Sequence, residues 1–293
     1  MKPKVCVLRT DGTNCDKETA YAFNKVGGDA EIQHINHLIK YYDQINEKPV
    51  SLDDFHILVW PGGFSYGDYI AAGKVLAKEM KKFLGEEVEK FVEDGKLMIG
   101  ICNGFQALIK AGYLPNLDGK NEQTEETATL TYNDSQRFEC RWVKLASPEN
   151  KCIWTKGVER LDIPVAHGEG KFIAPEKTID QLFSNGQVVY QYSDSNWQPA
   201  LDFPQNPNGS MRAIAGICDP TGRTFGLMPH PERYNKTHNH HLATLQKIHS
   251  RDYVDKNNKV VQERMKIAGD YSKETPGLKI LRNGIDYIVK NFR

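Results

Sequence analysis

The chain carries no excess charge of either sign. Lys+Arg and Asp+Glu number 38 each in 293 residues, so the net charge is zero. That balance supplies no long-range attraction for nucleic acid or an anionic membrane surface. No apolar run approaches the roughly 20 residues that a bilayer-crossing helix needs. The opening MKPKVCVLRT runs straight into a strand-like pattern, without the apolar stretch and cleavage site of a signal peptide, so a cytoplasmic location is expected. The six cysteines (Cys6, Cys15, Cys102, Cys140, Cys152 and Cys218) include no C-x-x-C pair, which argues against a disulfide framework or a zinc site. There is no G-K-[ST] phosphate loop and no G-x-G-x-x-G after a strand, so ATP binding through either motif is not expected. Repeats and linker-like stretches are also missing, which leaves a single domain over 1–293 with a polar insertion at about 235–276.

What is present is enough apolar material for a substantial core, 39% against 26% charged. Short apolar runs at 4–8, 30–35, 55–60 (FHILVW) and 96–101 (KLMIGI) alternate with helical spacing at 17–26, 69–83, 88–92 and 105–111. Continuous apolar strands separated by helices predict an α/β fold with a mostly parallel open sheet covered on both faces. After Pro115 the pattern changes. Segments within 127–145 and at 187–193 read as antiparallel strands of a smaller sheet, and 213–218 with 224–228 as a hairpin around Asp219-Pro220-Thr221-Gly222. Residues 278–292 form a final amphipathic helix, and 235–276 read as helices and loops outside the core.

Three segments carry chemistry. Gly100-Ile101-Cys102-Asn103-Gly104-Phe105-Gln106 lies where a buried strand turns into a helix, the setting of a nucleophile elbow with cysteine in place of serine. There the helix N-terminus favours a thiolate, and the Asn103 N–H lies where an oxyanion would form. The plainer alternative is a buried cysteine flanked by packing glycines. Met228-Pro229-His230-Pro231-Glu232-Arg233 follows an apolar strand, and in extended backbone residues 230 and 232 point to one side, so Glu232 can orient the His230 imidazole. Its alternative is an ordinary charged surface turn. Pro61-Gly62-Gly63-Phe64-Ser65-Tyr66-Gly67-Asp68 ends another buried strand, where consecutive glycines let backbone N–H groups face a ligand; alone it could be a tight turn. His238, His240 and His241 cluster in the insertion without nearby acidic or cysteine partners, so no metal is expected there.

Together these segments resemble the class I (triad) glutamine amidotransferases, and among them the glutaminase subunits of phosphoribosylformylglycinamidine synthases. The narrower likeness rests on Arg9 with Gly12-Thr13-Asn14-Cys15-Asp16, on Gly62 to Asp68, on Gly100 to Gln106, on Phe138-Glu139-Cys140-Arg141-Trp142, and on His167-Gly168-Glu169-Gly170. The resemblance implies a flavodoxin-like sheet and a triad of Cys102, His230 and Glu232. It also implies oxyanion donors at Gly63 and Asn103, and L-glutamine held by Gln106 and the backbone around Gly168 and Glu169. It further implies no cofactor in this chain. Ammonia would pass to a large synthetase subunit that uses ATP and magnesium in purine biosynthesis, bridged by a small third subunit. Cys15, with no histidine beside it in sequence, is expected to serve a structural or interface role. Asp11 stands where many relatives have proline. Two other readings compete: an amidotransferase serving a GMP, CTP or anthranilate synthetase, and a non-catalytic module on the same fold. The segments Phe64 to Asp68 and Phe138 to Trp142 argue against the first, and the intact triad against the second.

Overall fold

The computed structural model describes residues 1–39, 50–122, 127–244 and 274–292. Along the chain run β1 (Lys4–Arg9), α1 (Asp16–Lys25), β2 (Asp29–His34), α2 (Ile35–Leu38), β3 (Ile57–Trp60), α3 (Lys74–Glu93), β4 (Leu97–Ile101) and α4 (Asn103–Lys110). They are followed by β5 (Thr129–Thr131), β6 (Glu139–Ala146), β7 (Arg160–His167), β8 (Lys171–Ile173), α5 (Glu176–Ser184), β9 (Val188–Ser193), β10 (Ile214–Cys218), β11 (Thr224–Leu227) and α6 (Pro276–Asn291).

The main sheet has nine strands in the order β2-β1-β3-β4-β11-β10-β9-β6-β7. Its first five strands are parallel, in the flavodoxin-like arrangement. The apolar runs expected to be buried are buried: Ile57 to Trp60 and Leu97 to Ile101 are inaccessible throughout. From β1 the chain crosses one way to β2, and from β3 the other way to β4. Right-handed crossovers in opposite directions place their helices on opposite faces. Accordingly α1 packs with α6, and α3 with α4. The predicted β10–β11 hairpin is antiparallel, and β9, β6 and β7 extend the same sheet antiparallel from it. A separate two-stranded antiparallel sheet pairs β5 with β8.

Helix ends follow local chemistry. Thr275 caps α6 by accepting the Leu278 N–H at 3.3 Å, with Pro276 in the first turn. The helix expected from residue 69 begins only at Lys74, because Tyr66, Gly67, Asp68 and Gly73 all have positive φ. It then continues to Glu93 as one helix with an irregular residue at Leu84. Tyr69 and Ile70 are left outside it and exposed.

The polar stretch 235–276 departs in part from its expected place outside the core, although residues 245–273 lie outside the described set. At its start His240 is 2% exposed, its Nε2 sits 3.1 Å from Asp162, and its ring packs against Trp142 and Tyr234. Of Leu242, Leu245 and Ile248, spaced in the sequence as one helical face, only Leu242 is among the described residues.

Candidate active site

The carboxyl ends of β1, β3, β4 and β11 deliver four loops to one sheet edge, where open parallel sheets build their sites. Cys102 follows β4 directly, with φ 51° and ψ −106°. Its N–H donates to the Leu227 carbonyl of β11 at 2.8 Å, and its own carbonyl accepts the Gln106 N–H at 3.0 Å as the first bond of α4. The strained residue is therefore held from both sides, as an elbow requires. The thiol is 5% exposed and lies 3.5 Å from the Ala166 carbonyl of β7. The flanking glycines serve packing as well as the turn. A Cβ at Gly100 would sit 2.8 Å from the backbone of Gly104, and one at Gly104 would run into the Trp60 carbonyl.

His230 and Glu232 come from the loop after β11. His230 Nδ1 lies 2.6 Å from Glu232 Oε1, with both residues almost wholly buried. Burial opposes the charged imidazole, but the charges of Glu232 and Cys102, with hydrogen bonds to the Cys102 and Cys15 thiols, outweigh it and raise the His230 pKa well above its ordinary value. The His230 N–H of the main chain donates to Pro164 O of β7 at 2.9 Å, which fixes the loop against the sheet. His167, at the end of β7, goes the other way: burial, then the neighbouring His230, lower it to about 3, so it stands neutral.

The Gly62–Gly63 strap is tied on both sides of Gly63. Gly62 O accepts the Cys15 N–H at 3.2 Å, and the Phe64 N–H donates to Gly12 O at 3.0 Å. Gly63 has φ 149°, in the region that favours glycine. The first turn of α4 leaves the Asn103 N–H without an intrahelical acceptor. The Asn103 side chain locks this loop to α4: Oδ1 accepts the Ser65 N–H, and Nδ2 donates to Asp68 Oδ1 and Gln106 Oε1, each at 3.0 Å. Gln106 Nε2 donates to the Glu169 carbonyl, and Glu169 Oε2 accepts the Ala72 N–H at 3.1 Å. Gly168 O accepts the Asn133 N–H at 2.9 Å. Beneath lies Lys110, whose Nζ donates to Ala72 O at 2.6 Å and Leu130 O at 3.3 Å; burial lowers its pKa to about 8.

Seven of the eight residues expected at the site thus gather along this edge, and Gly168 adjoins them as the chain neighbour of Glu169. The plainer reading of His230-Pro231-Glu232 as a surface turn is excluded by its burial. The sequence assigns Cys15 a structural or interface role but not its place beside the triad. Its Sγ, a His230 ring nitrogen and a Glu232 oxygen lie within 4.8 Å of one another, and Arg233 donates to the sulfur at 3.1 Å. The missed signal was topological, since the loop after β1 opens on the same edge. These three side chains are the one metal-capable trio among the described residues. Glu232 already occupies His230 Nδ1, however, and the Arg233 guanidinium opposes a cation, so the trio is better matched to organising the imidazole.

Residues 2–286 match the CobB/CobQ-like glutamine amidotransferase domain. The chain belongs to this family. This amidotransferase domain is 48% identical over 242 residues to a Dehalococcoides mccartyi protein named phosphoribosylformylglycinamidine synthase subunit PurQ, covering 82% of this chain and 88% of the relative. A Methanococcus maripaludis protein of the same name is 41% identical over 293 residues, 98% of either chain. Among solved structures, PurLQS from Thermotoga maritima contains a chain that this amidotransferase matches with a TM-score of 0.65 and 30% identity, over 98% of this chain and 100% of that one. A second Thermotoga maritima glutamine amidotransferase, at 15% identity and TM-score 0.51 over 99% of this chain and all of the other, shares the fold.

Proposed function

We propose that this chain is the glutaminase subunit of a phosphoribosylformylglycinamidine synthase, releasing ammonia from L-glutamine for purine biosynthesis. The observation that carries the reading is Cys102, strained at the head of α4 beside the buried His230–Glu232 pair, in a chain 41–48% identical to proteins named as that subunit.

The Cys102 thiolate attacks the side-chain amide carbon of glutamine. The developing oxyanion is received by the N–H groups of Gly63 and Asn103, the second of which also benefits from the helix dipole. His230, held by Glu232, gives its proton to the departing ammonia, leaving a γ-glutamyl thioester. It then takes a proton from the attacking water, and glutamate leaves as the thiol re-forms. Gln106 and the backbone at Gly168 and Glu169 hold the amino-acid end of the substrate. No cofactor takes part in these steps. Ammonia passes to a large synthetase subunit that binds ATP and magnesium, joined through a small third subunit, an assembly supported by the PurLQS match. The whole chain acts as one domain with an insertion at 235–276, and in the cytoplasm; no helix among the described residues is long and apolar enough to cross a membrane.

The test is labelling with a glutamine-like diazo-ketone, followed by peptide mapping. Modification should fall on Cys102. Burial raises the Cys15 thiol pKa despite its contacts with His230 and Arg233, so that residue stays protonated. First modification of Cys15 or Cys140 would refute the assignment.

A further inference from the structure

The turn at residues 11–16 takes no part in the chemistry above, yet it is bound both to the Gly62–Gly63 strap and to the loop that bears His230. Phe64 N–H donates to Gly12 O, Tyr66 N–H to Asp11 O at 2.8 Å, and Cys15 N–H to Gly62 O. Cys15 then opens α1: its carbonyl accepts the Thr19 N–H at 3.0 Å and the Thr19 hydroxyl at 2.6 Å. Its backbone is thus pinned between a helix and the Gly62–Gly63 strap. The side chain is 1% exposed. Its sulfur accepts from Arg233 at 3.1 Å, and the same guanidinium is held by Glu18 Oε1 at 2.8 Å. Arg233 therefore ties the first turn of α1 to the loop that bears His230.

The point of contact with the imidazole is defined by Gly62. A Cβ there would lie 2.9 Å from His230 Cε1, 3.5 Å from His230 Nδ1 and 3.1 Å from Cys15 Sγ. The ring edge and the sulfur thus face the same side of Gly62, in a space too small to admit a methyl group. We propose that Cys15 is a positioning residue for His230: its sulfur wedges between strap, guanidinium and imidazole edge and keeps the ring turned toward Cys102. This inference rests on the glutaminase reading and deepens it. A thiol suits the task because sulfur is large and a weak hydrogen-bonding group. It fills the gap and takes one N–H from Arg233 while the short Nδ1 bond to Glu232 stays in place. An alanine leaves a void and an unpaired Arg233 donor, whereas serine restores an acceptor with less bulk.

The groups facing His230 are Glu232 and Arg233 on its own loop, Cys102 at the elbow, Cys15 on the turn after β1, and His167 at the end of β7. The Cys15 contact is among those that favour the imidazolium, so losing it moves deprotonation of His230 to lower pH.

The experiment compares Cys15→Ala and Cys15→Ser with the wild type in the assembled synthase. It measures glutamine-dependent turnover across pH, ammonia-dependent turnover as control, and thermal melting. Cys15→Ala should lower kcat with glutamine by roughly tenfold, the scale of one lost hydrogen bond. The KM for glutamine and the ammonia-dependent rate should hardly change, and the alkaline limb of the pH profile should move down. Cys15→Ser should recover part of both effects. An unmoved limb with unchanged kcat in Cys15→Ala overturns the proposal, and so does equal loss in both variants with the limb in place, which is the signature of packing alone. If the alanine variant does not fold, the limb of Cys15→Ser decides by the same criterion. Failure of the wild type itself to use glutamine would instead strike the glutaminase reading.

Discussion

Gly100→Ala is a small change with a calculable consequence. Gly100 lies on β4 under the first turns of α4, and a Cβ there would sit 2.6 Å from Leu108 Cδ1 and 2.8 Å from both C and O of Gly104. Ordinary contact begins near 3.4 Å, so the leucine must turn aside and the helix must withdraw by roughly 0.6 Å. Taken alone, replacing glycine inside a strand is favourable by about 0.5–1 kcal/mol, because less backbone freedom is lost on folding. Overpacking a close-packed interface costs about 1–3 kcal/mol, and here one obstruction is backbone that cannot change rotamer. The clash wins, with a net loss of about 1–2 kcal/mol and a melting temperature lower by roughly 2–6 °C. The withdrawn helix carries the Asn103 N–H and the Cys102 turn. Since ~1 Å of misplacement can cost ~10²-fold in rate, glutamine-dependent turnover should fall about tenfold while ammonia-dependent turnover is kept. A variant that melts at or above the wild type with full glutamine activity would show that β4 and α4 are not seated as described.

Two further outcomes follow from the buried charges. Glu232→Gln should reduce glutamine-dependent turnover less than His230→Ala, because His230 carries the proton while Glu232 orients and supports it; an equal or greater loss with folding intact would reverse the roles. Burial lowers the Lys110 pKa from its ordinary 10.5 to about 8 in the folded state, so between those values the unfolded chain holds more protons and stability rises with pH. Lys110→Met should remove about 3 kcal/mol of that rise; thermal melts from pH 8 to 10.5 in which the two proteins keep a constant difference would contradict it.

The parallel half of the sheet was legible because β3 and β4 are buried on both faces and therefore apolar at every position. The elbow and the His230-x-Glu232 pair were legible because their partners are close in sequence or at strand ends. The Asn103–Asp68–Gln106 lock and the Cys15–Arg233 contact were not, since they join loops 35 and 218 residues apart and leave no local pattern. The strand Arg160–His167 leaves little signal in the sequence because Asp162 and Pro164 interrupt its apolar run; Asp162 tolerates burial by bonding Lys144 and His240. Those bonds also explain why the start of the polar stretch after Tyr234 packs inward. The late start of α3 was hidden because positive φ at Tyr66 belongs to a residue type that rarely adopts it.

The division of labour between the two active centres is tested most directly by Cys102→Ala in the assembled synthase, assayed once with glutamine and once with ammonium salts. Only the thiolate step resides on this chain, so glutamine-dependent synthesis should vanish while ammonia-dependent synthesis proceeds at the wild-type rate. Loss of both activities in an intact complex, or persistence of the glutamine reaction, would contradict the account.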